Sequence, residues 1–225
     1  MDAVGSSPHA QGHDVVIVEG VGFYRSQVLP RLIDRALGTP DMGNWRAQVV
    51  AGLHGRVVEI GFGSGLNVEH YPAEVEAVLA VEPAAVARKL ARRRIAASGV
   101  AVEHAGTDGQ SMPIEGASCD TALSTFTLCT VPDPVAALSE ILRVLRPGGT
   151  LHFLEHGISP DPRVATWQRR LEPLQRRVAD GCHLTRDPAT IVTGAGFQLE
   201  RCDHAYAKGP KPWTYFTLGV AEKPR

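Results

Sequence analysis

Three short stretches of this chain carry residue types whose spacing can do chemistry. The first is Val57-Val58-Glu59-Ile60-Gly61-Phe62-Gly63-Ser64-Gly65, an apolar run that meets a glycine-rich turn and then a helical pattern. Glycines there permit a tight turn and let a ligand lie against the backbone, while the first turn of a helix offers free N–H groups and the positive end of its dipole. The dinucleotide fingerprint would need a third glycine where Leu66 stands, a Walker loop would need lysine after Gly65, and a nucleophile elbow would need glycine in place of Phe62. Nicotinamide, triphosphate and serine-nucleophile chemistry are therefore disfavoured. The second stretch ends in Val81-Glu82-Pro83, where a carboxylate can accept hydrogen bonds from both hydroxyls of a ribose. The third, Gly106-Thr107-Asp108-Gly109-Gln110-Ser111-Met112-Pro113, offers Asp108 to an exocyclic amino group and Met112 to the face of a purine.

Histidine, glutamate and cysteine supply the remaining candidates. His152, Glu155 and His156 spell H-x-x-E-H, which on a helix would present two metal ligands on one face. The segment reads as a strand, so His152 and His156 share one face and Glu155 points to the other, and no metal is expected. Glu155 or His156, near the carboxyl end of a central strand, then either faces an acceptor pocket or packs in the core. Cys182-His183 reads as a packed thiol beside a histidine that serves as base or pocket wall. Cys119, Cys129, Cys182 and Cys202 form no C-x-x-C pair, which argues against a zinc ribbon and for free thiols in a reducing, cytoplasmic setting.

From residue 56 onward, short apolar runs alternate with helical patterns, the grammar of a parallel sheet built from strand-helix-strand units. Strands are expected over 56–60, 77–82, 100–104, 119–124, 149–156, 197–206 and 213–221. Helices are expected over 66–71, 84–97 and 134–145, the last opened by Asp133 as N-cap with Pro134 at the first helical position. Before the sheet, a helix over 24–37 carries Val28, Leu32, Ile33 and Ala36 on one face, and a second helical piece runs to residue 53. After it, a helix over 162–180 carries Trp167, Leu171, Leu174 and Val178, with Pro173 inside it, and a short helix covers 188–193. Residues 1–14, rich in Gly, Ser and His, read as a flexible leader.

Composition limits the partners. The 225 residues carry 23 Lys+Arg against 24 Asp+Glu, a net charge of −1, which lacks the basic excess that drives nucleic-acid binding. No window approaches the roughly 18 apolar residues of a membrane span. The runs Arg88-Lys89, Arg92-Arg93-Arg94, Arg169-Arg170 and Arg176-Arg177 read as solvated helix faces, with contact to acidic lipid headgroups as the sharper alternative.

The glycine loop, Glu82, Gly106-Thr107-Asp108, the stretch 124–133 and Leu145-Arg146-Pro147-Gly148-Gly149 resemble, in order and spacing, the class I S-adenosylmethionine-dependent methyltransferases, over about residues 24–220. Within that family the chain looks most like the small-molecule branch of ubiquinone and phospholipid methyltransferases. Phe153-Leu154-Glu155-His156, Gly181-Cys182-His183-Leu184-Thr185-Arg186 and Gly209-Pro210-Lys211-Pro212-Trp213 look more specifically like the thiol S-methyltransferases.

The resemblance implies an α/β fold: a Rossmann-like, doubly wound, seven-stranded sheet with helices on both faces and the last strand antiparallel. It implies one domain over 15–225, divided into a helical cap over 15–55, a cofactor-binding core over 56–156 and substrate-side helices and final strands over 157–225. It further implies S-adenosylmethionine as cofactor, leaving as S-adenosylhomocysteine, and a small-molecule acceptor, a thiol as first choice. Gly61, Gly63 and Gly65 would border the methionine part, Glu82 the ribose, and Asp108 with Gly109 the adenine. Glu59, Thr125 and Tyr24 join the cofactor contacts, Tyr24 by closing over it, and 125–128 would line the place where sulfonium and acceptor meet. His156, His183 and Glu155 are the catalytic candidates, with His156 or His183 as base. Amine, phenol and phospholipid acceptors, and a non-catalytic binding module, remain the competing readings. Mammalian relatives carry an apolar N-terminal anchor that residues 1–14 lack, so membrane residence is not carried over.

Overall fold

The computed structural model describes residues 22–225, so the expected leader and the start of the expected helical cap lie outside the described residues. Seven strands, β1 (Gly55–Ile60), β2 (Val75–Val81), β3 (Ala101–Gly106), β4 (Cys119–Thr125), β5 (Leu145–His156), β6 (Gln198–Tyr206) and β7 (Tyr215–Glu222), form one sheet in the order β3-β2-β1-β4-β5-β7-β6. β7 runs antiparallel to both neighbours, and the pairings among β1 to β5 are parallel. This is the expected doubly wound sheet, and it also fixes what spacing could not: β7 is inserted between β5 and β6.

A π-helical turn, Tyr24–Val28, leads into α1 (Leu29–Leu37) and α2 (Pro40–Val50); α3 (Ala85–Ser98), α4 (Pro134–Val144), α5 (Pro162–Val178), α6 (Pro188–Gly194) and the short α7 (Lys211–Thr214) follow. Four of them begin alike, with a polar cap and then proline. Thr39, Asp133, Asp161 and Asp187 each accept a backbone N–H of the first turn before Pro40, Pro134, Pro162 and Pro188. Proline has no N–H to orphan there and its φ already suits the helix.

Strand alternation sorts the core into two layers. Val58, Ile60, Leu151 and Phe153 pack against Leu138 and Ile141 of α4 and Val192 of α6. On the opposite face, Val57, Val78, Leu123 and Leu154 pack against Val49 and Val50 of α2 and Ala91 of α3. Successive crossovers leave β1 and β4 in opposite directions, so the carboxyl ends of these neighbours, where Ile60 pairs with Ser124, open the crevice in which doubly wound sheets bind ligands.

Four expectations need correcting. The helix expected over 66–71 is only a 3-10 turn, Val68–His70, because Asn67 turns inward to buried partners and Pro72 ends the run. β5 begins at Leu145, earlier than expected, with the Arg-Pro-Gly-Gly stretch drawn into the strand and bulged against β4. Trp213 lies in α7 and not on the last strand. Both apolar stripes face outward: Leu32 is 50% and Leu174 61% exposed, while α1 buries Leu29 and Pro30 and α5 buries Val164, Ala165 and Gln168. Among the described residues no helix is long and apolar enough to cross a membrane.

Candidate active site

The glycine loop is fixed from two directions. Gly61 and Phe62 donate their N–H groups to the Val81 carbonyl of β2. From outside, Ser64 donates to Asp34 of α1 at 2.6 Å, and Arg94 of α3 pairs with Asp34 at 2.8 Å while donating to the Ser64 carbonyl. Arg94 is thus a clamp and not a solvated charge. Gly61, Gly63 and Gly65 all have positive φ, at 66°, 58° and 74°. A Cβ on Gly61 would collide with Thr127, and one on Gly65 would crowd Val68 and Ala91, but one on Gly63 would meet only the Gly61 carbonyl at 3.7 Å. The loop therefore presents a bare cradle at Gly63, the kind a side chain would fill.

Glu82 borders that cradle. Its carboxylate accepts Gly63 N–H at 2.7 Å through one oxygen and Ala84 N–H at 2.7 Å through the other, so acid and loop are one rigid unit. Burial pushes its pKa up, and these two hydrogen bonds pull it back. Each oxygen keeps a lone pair for a further donor. Arg88, a second member of the arginine run, reaches the Glu82 and Pro83 carbonyls.

Beneath the loop lies a buried polar network that sequence spacing did not suggest. Arg46 of α2 donates to Asn67 at 2.7 Å and to Thr125 at 3.5 Å; Asn67 donates to Glu59 at 2.7 Å and to Thr125 at 3.0 Å; Tyr71 donates to the other oxygen of Glu59. Burial raises Glu59 to about 7, against the pull of its hydrogen bonds and of Arg46. Burial likewise lowers Arg46 to about 10. The Arg46 Nε–H is buried with no partner. Instead of the positive end of a long helix, this loop has a guanidinium beside it. Arg46 carried a signal after all: with Met42 and Val49 it sits on the apolar side of α2, where an unpaired cation is out of place.

The loop after β4 forms the opposite wall. Glu155, fully buried in β5, accepts Ser124 Oγ–H at 2.7 Å and the N–H groups of Thr127, Leu128 and Cys129 at 3.0 to 3.2 Å. Phe126 in this loop has a φ of 54°, a strained value for a side chain with a Cβ. Glu155 is thus occupied in holding the loop. His152 and His156 fall on the other face, as alternation requires; His152 bonds the Val49 carbonyl and is a core histidine, whereas the His156 ring lies 5.1 Å from Phe126 and 5.3 Å from Phe216.

His183 bonds Glu172 at 3.0 Å through Nδ1, and its main-chain N–H reaches the Cys129 carbonyl at 2.7 Å. Burial would raise Glu172, but hydrogen bonds from Thr185 and His183 outweigh it and hold the carboxyl below its usual range. Tyr24 donates to the Val178 carbonyl at 2.9 Å, and neighbouring Arg25 pairs with Asp180, whose charge acts on Glu82, so these segments meet at the carboxyl edge. Asp108 is exposed and closes its own turn by accepting Gln110 N–H, Gly109 packs on Ile60, and Met112 is buried in the core instead of lying open to a ligand. A separate cleft of about 440 Å³, lined by Arg169, His204, Tyr215 and Thr217 among others, contains none of these candidates.

The crevice can hold a ligand that combines a carboxylate, a diol and a purine: an orphaned guanidinium N–H, a bare glycine cradle, an acid with free lone pairs and a polar turn follow one another along the strand ends. S-Adenosylmethionine has those parts, and the residues fit it. Because Glu59 stays protonated in the folded chain up to about 7 and ionises near 4.5 when unfolded, the native state binds more protons in between, and stability falls as pH rises through that window. Glu59→Gln removes this slope, worth about 3 kcal/mol at most. Melting curves should show a smaller loss from pH 5 to pH 8 in the variant than in the parent; equal losses would contradict the assignment.

Comparison with known proteins points the same way. A family model described as a methyltransferase domain matches residues 58–153. Rat thiol S-methyltransferase TMT1B is 35% identical over 171 residues, covering 72% of this chain and 66% of the relative, and human TMT1A is 30% identical over 179 residues, covering 74% and 69%. The chain thus spans about two thirds of the length of these relatives. Solved structures share the fold: a Haemonchus contortus N-methyltransferase crystallised with phosphomonomethylethanolamine and S-adenosylhomocysteine has a TM-score of 0.68 at 16% identity, over 90% of this chain and 60% of its own. An Aquifex aeolicus S-adenosylmethionine-dependent methyltransferase has a TM-score of 0.58 at 15% identity, over 85% of this chain and 97% of its own. With its motifs at the strand ends where that sheet binds ligands, the chain belongs to the S-adenosylmethionine-dependent methyltransferases.

Proposed function

We propose that this enzyme methylates the sulfur of a small thiol. The observation that carries the reading is the thiol S-methyltransferase likeness, 30% to 36% identity extending over 68% to 74% of the chain, well past the residues of the shared methyltransferase domain. Demethylmenaquinone and phosphatidylethanolamine methyltransferases are also similar, at 30% identity over 58% and 45% of the chain.

In this reading S-adenosylmethionine supplies an electrophilic methyl group on a sulfonium sulfur. Arg46 and the Gly61–Gly65 loop hold the amino-acid end, Glu82 the ribose hydroxyls, Asp108 with Gly109 the adenine, and Tyr24 covers the site. Glu59 orients Asn67 and through it Arg46, a positioning role. Thr125 and the residues to Leu128, pinned by Glu155, form the wall against which the acceptor lies. Fixing both reactants in line converts a bimolecular displacement into an effectively unimolecular one. As thiolate and sulfonium neutralise each other, apolar surroundings beside the packed Phe126 and Phe216 rings favour the charge-dispersed transition state. His183, its ring oriented by Glu172, takes the thiol proton.

Two measurements test these roles. Calorimetry on Glu82→Gln should find S-adenosylmethionine binding weakened by about 10- to 100-fold, the loss of a charge-assisted hydrogen bond; unchanged affinity would remove Glu82 from the site. In a series of thiols of falling pKa, His183→Ala should lower kcat/KM for aliphatic thiols at neutral pH by about 10²-fold or more, with the deficit shrinking as the acceptor becomes acidic. A deficit independent of acceptor pKa would rule His183 out as base.

A further inference from the structure

Among the described residues, three soft or imidazole donors from separate segments converge behind the loop that follows β4. Cys129 belongs to that loop, His156 ends β5, and Cys182 lies in the turn after α5. The two sulfurs are 3.7 Å apart, and each is 3.7 Å from Nδ1 of His156. Both cysteines are free thiols, and among the described residues no further His, Cys, Asp or Glu joins the group.

The dimensions of this triangle are informative. A tetrahedral zinc ion, with Zn–S of about 2.3 Å and Zn–N of about 2.0 Å, sets its ligands about 3.8 Å apart for sulfur–sulfur and about 3.5 Å for sulfur–nitrogen. The observed edges match one face of that tetrahedron to within about 0.2 Å, the tolerance a real site shows. Two thiolates and one imidazole form a donor set that selects zinc over hard cations. The imidazole is also held in place: the His156 ring packs between Phe126 and Phe216, with ring centroids 5.1 and 5.3 Å away.

Charge around the cluster is balanced for a divalent ion. Two thiolates neutralise it, and the Glu155 carboxylate and Arg186 guanidinium, which both act on the two cysteines, offset each other.

We propose that Cys129, Cys182 and His156 form a three-ligand zinc site whose fourth position is left to water or an incoming ligand. Sites with three protein ligands keep a position open in this way, whereas purely structural ones close it with a fourth. The ion would tie the loop after β4, the end of β5 and the turn after α5 together at the rim of the crevice. The inference rests on the cluster's geometry alone and stands whichever acceptor is methylated.

The test uses the full chain. Elemental analysis of protein purified from zinc-supplemented medium should find one zinc per chain. Cobalt(II) added to the metal-free chain should give thiolate-to-metal charge-transfer bands with the intense ligand-field bands of a tetrahedral ion. Cys129→Ser and Cys182→Ser should each lose the charge-transfer intensity, while Cys119→Ser and Cys202→Ser should keep it. The wild-type cobalt spectrum needs no variant to fold. Absence of stoichiometric zinc together with the spectrum of hydrated cobalt, or a Cys129–Cys182 disulfide recovered from the freshly purified chain, would overturn the proposal.

Discussion

A carboxylate buried at the end of a sheet must have its lone pairs met, and in this molecule that constraint organises the crevice. Glu155 satisfies it by drawing in Ser124 and three successive backbone N–H groups of the loop after β4. An unpaired buried carboxylate would cost several kcal/mol, so the loop has little freedom to leave. Glu59, on β1 across the intervening β4, must likewise have its buried oxygens met, and its answer is the chain of Asn67, Tyr71 and Arg46 that supports the glycine loop. The two walls of the crevice are held by two acids on neighbouring parts of one sheet, and Thr125 links them by hydrogen-bonding both Asn67 and Arg46.

This arrangement separates binding from positioning. Glu82 keeps spare lone pairs and Gly63 an open side at the crevice, and the Arg46 Nε–H is buried without a partner. The acids whose capacity is spent, Glu59 and Glu155, lie behind them. A methyltransferase needs little more from its protein than this, because displacement at a sulfonium proceeds once donor and acceptor are aligned and water is kept away.

What could be read from the sequence follows from how local each signal is. The glycine loop, Glu82 and Asp108 each sit at a strand end, so finding the strands located them. The Asp133-Pro134 cap was readable for the same reason, since it acts within one turn. Arg46 was not found, because its partners Asn67 and Thr125 come from segments that only the strand order brings together. The strand alternation that separated Glu155 from His152 and His156 was correct, yet it could not show that Glu155 would be consumed by the facing loop. Cys129, His156 and Cys182 meet only through the folded sheet, so the absence of a C-x-x-C spacing concealed them. The outward-facing stripes of α1 and α5 failed differently: helical periodicity identifies a face without telling which way it turns.

The central claim is that this crevice delivers a methyl group to sulfur. The most direct measurement offers the enzyme a small acceptor carrying both a thiol and an amine, with S-adenosylmethionine labelled in its methyl group, and locates the label in the product by NMR. A labelled thioether with an unmodified amine, formed in equal amount with S-adenosylhomocysteine, is the predicted result. A labelled amine with the thiol intact would contradict it.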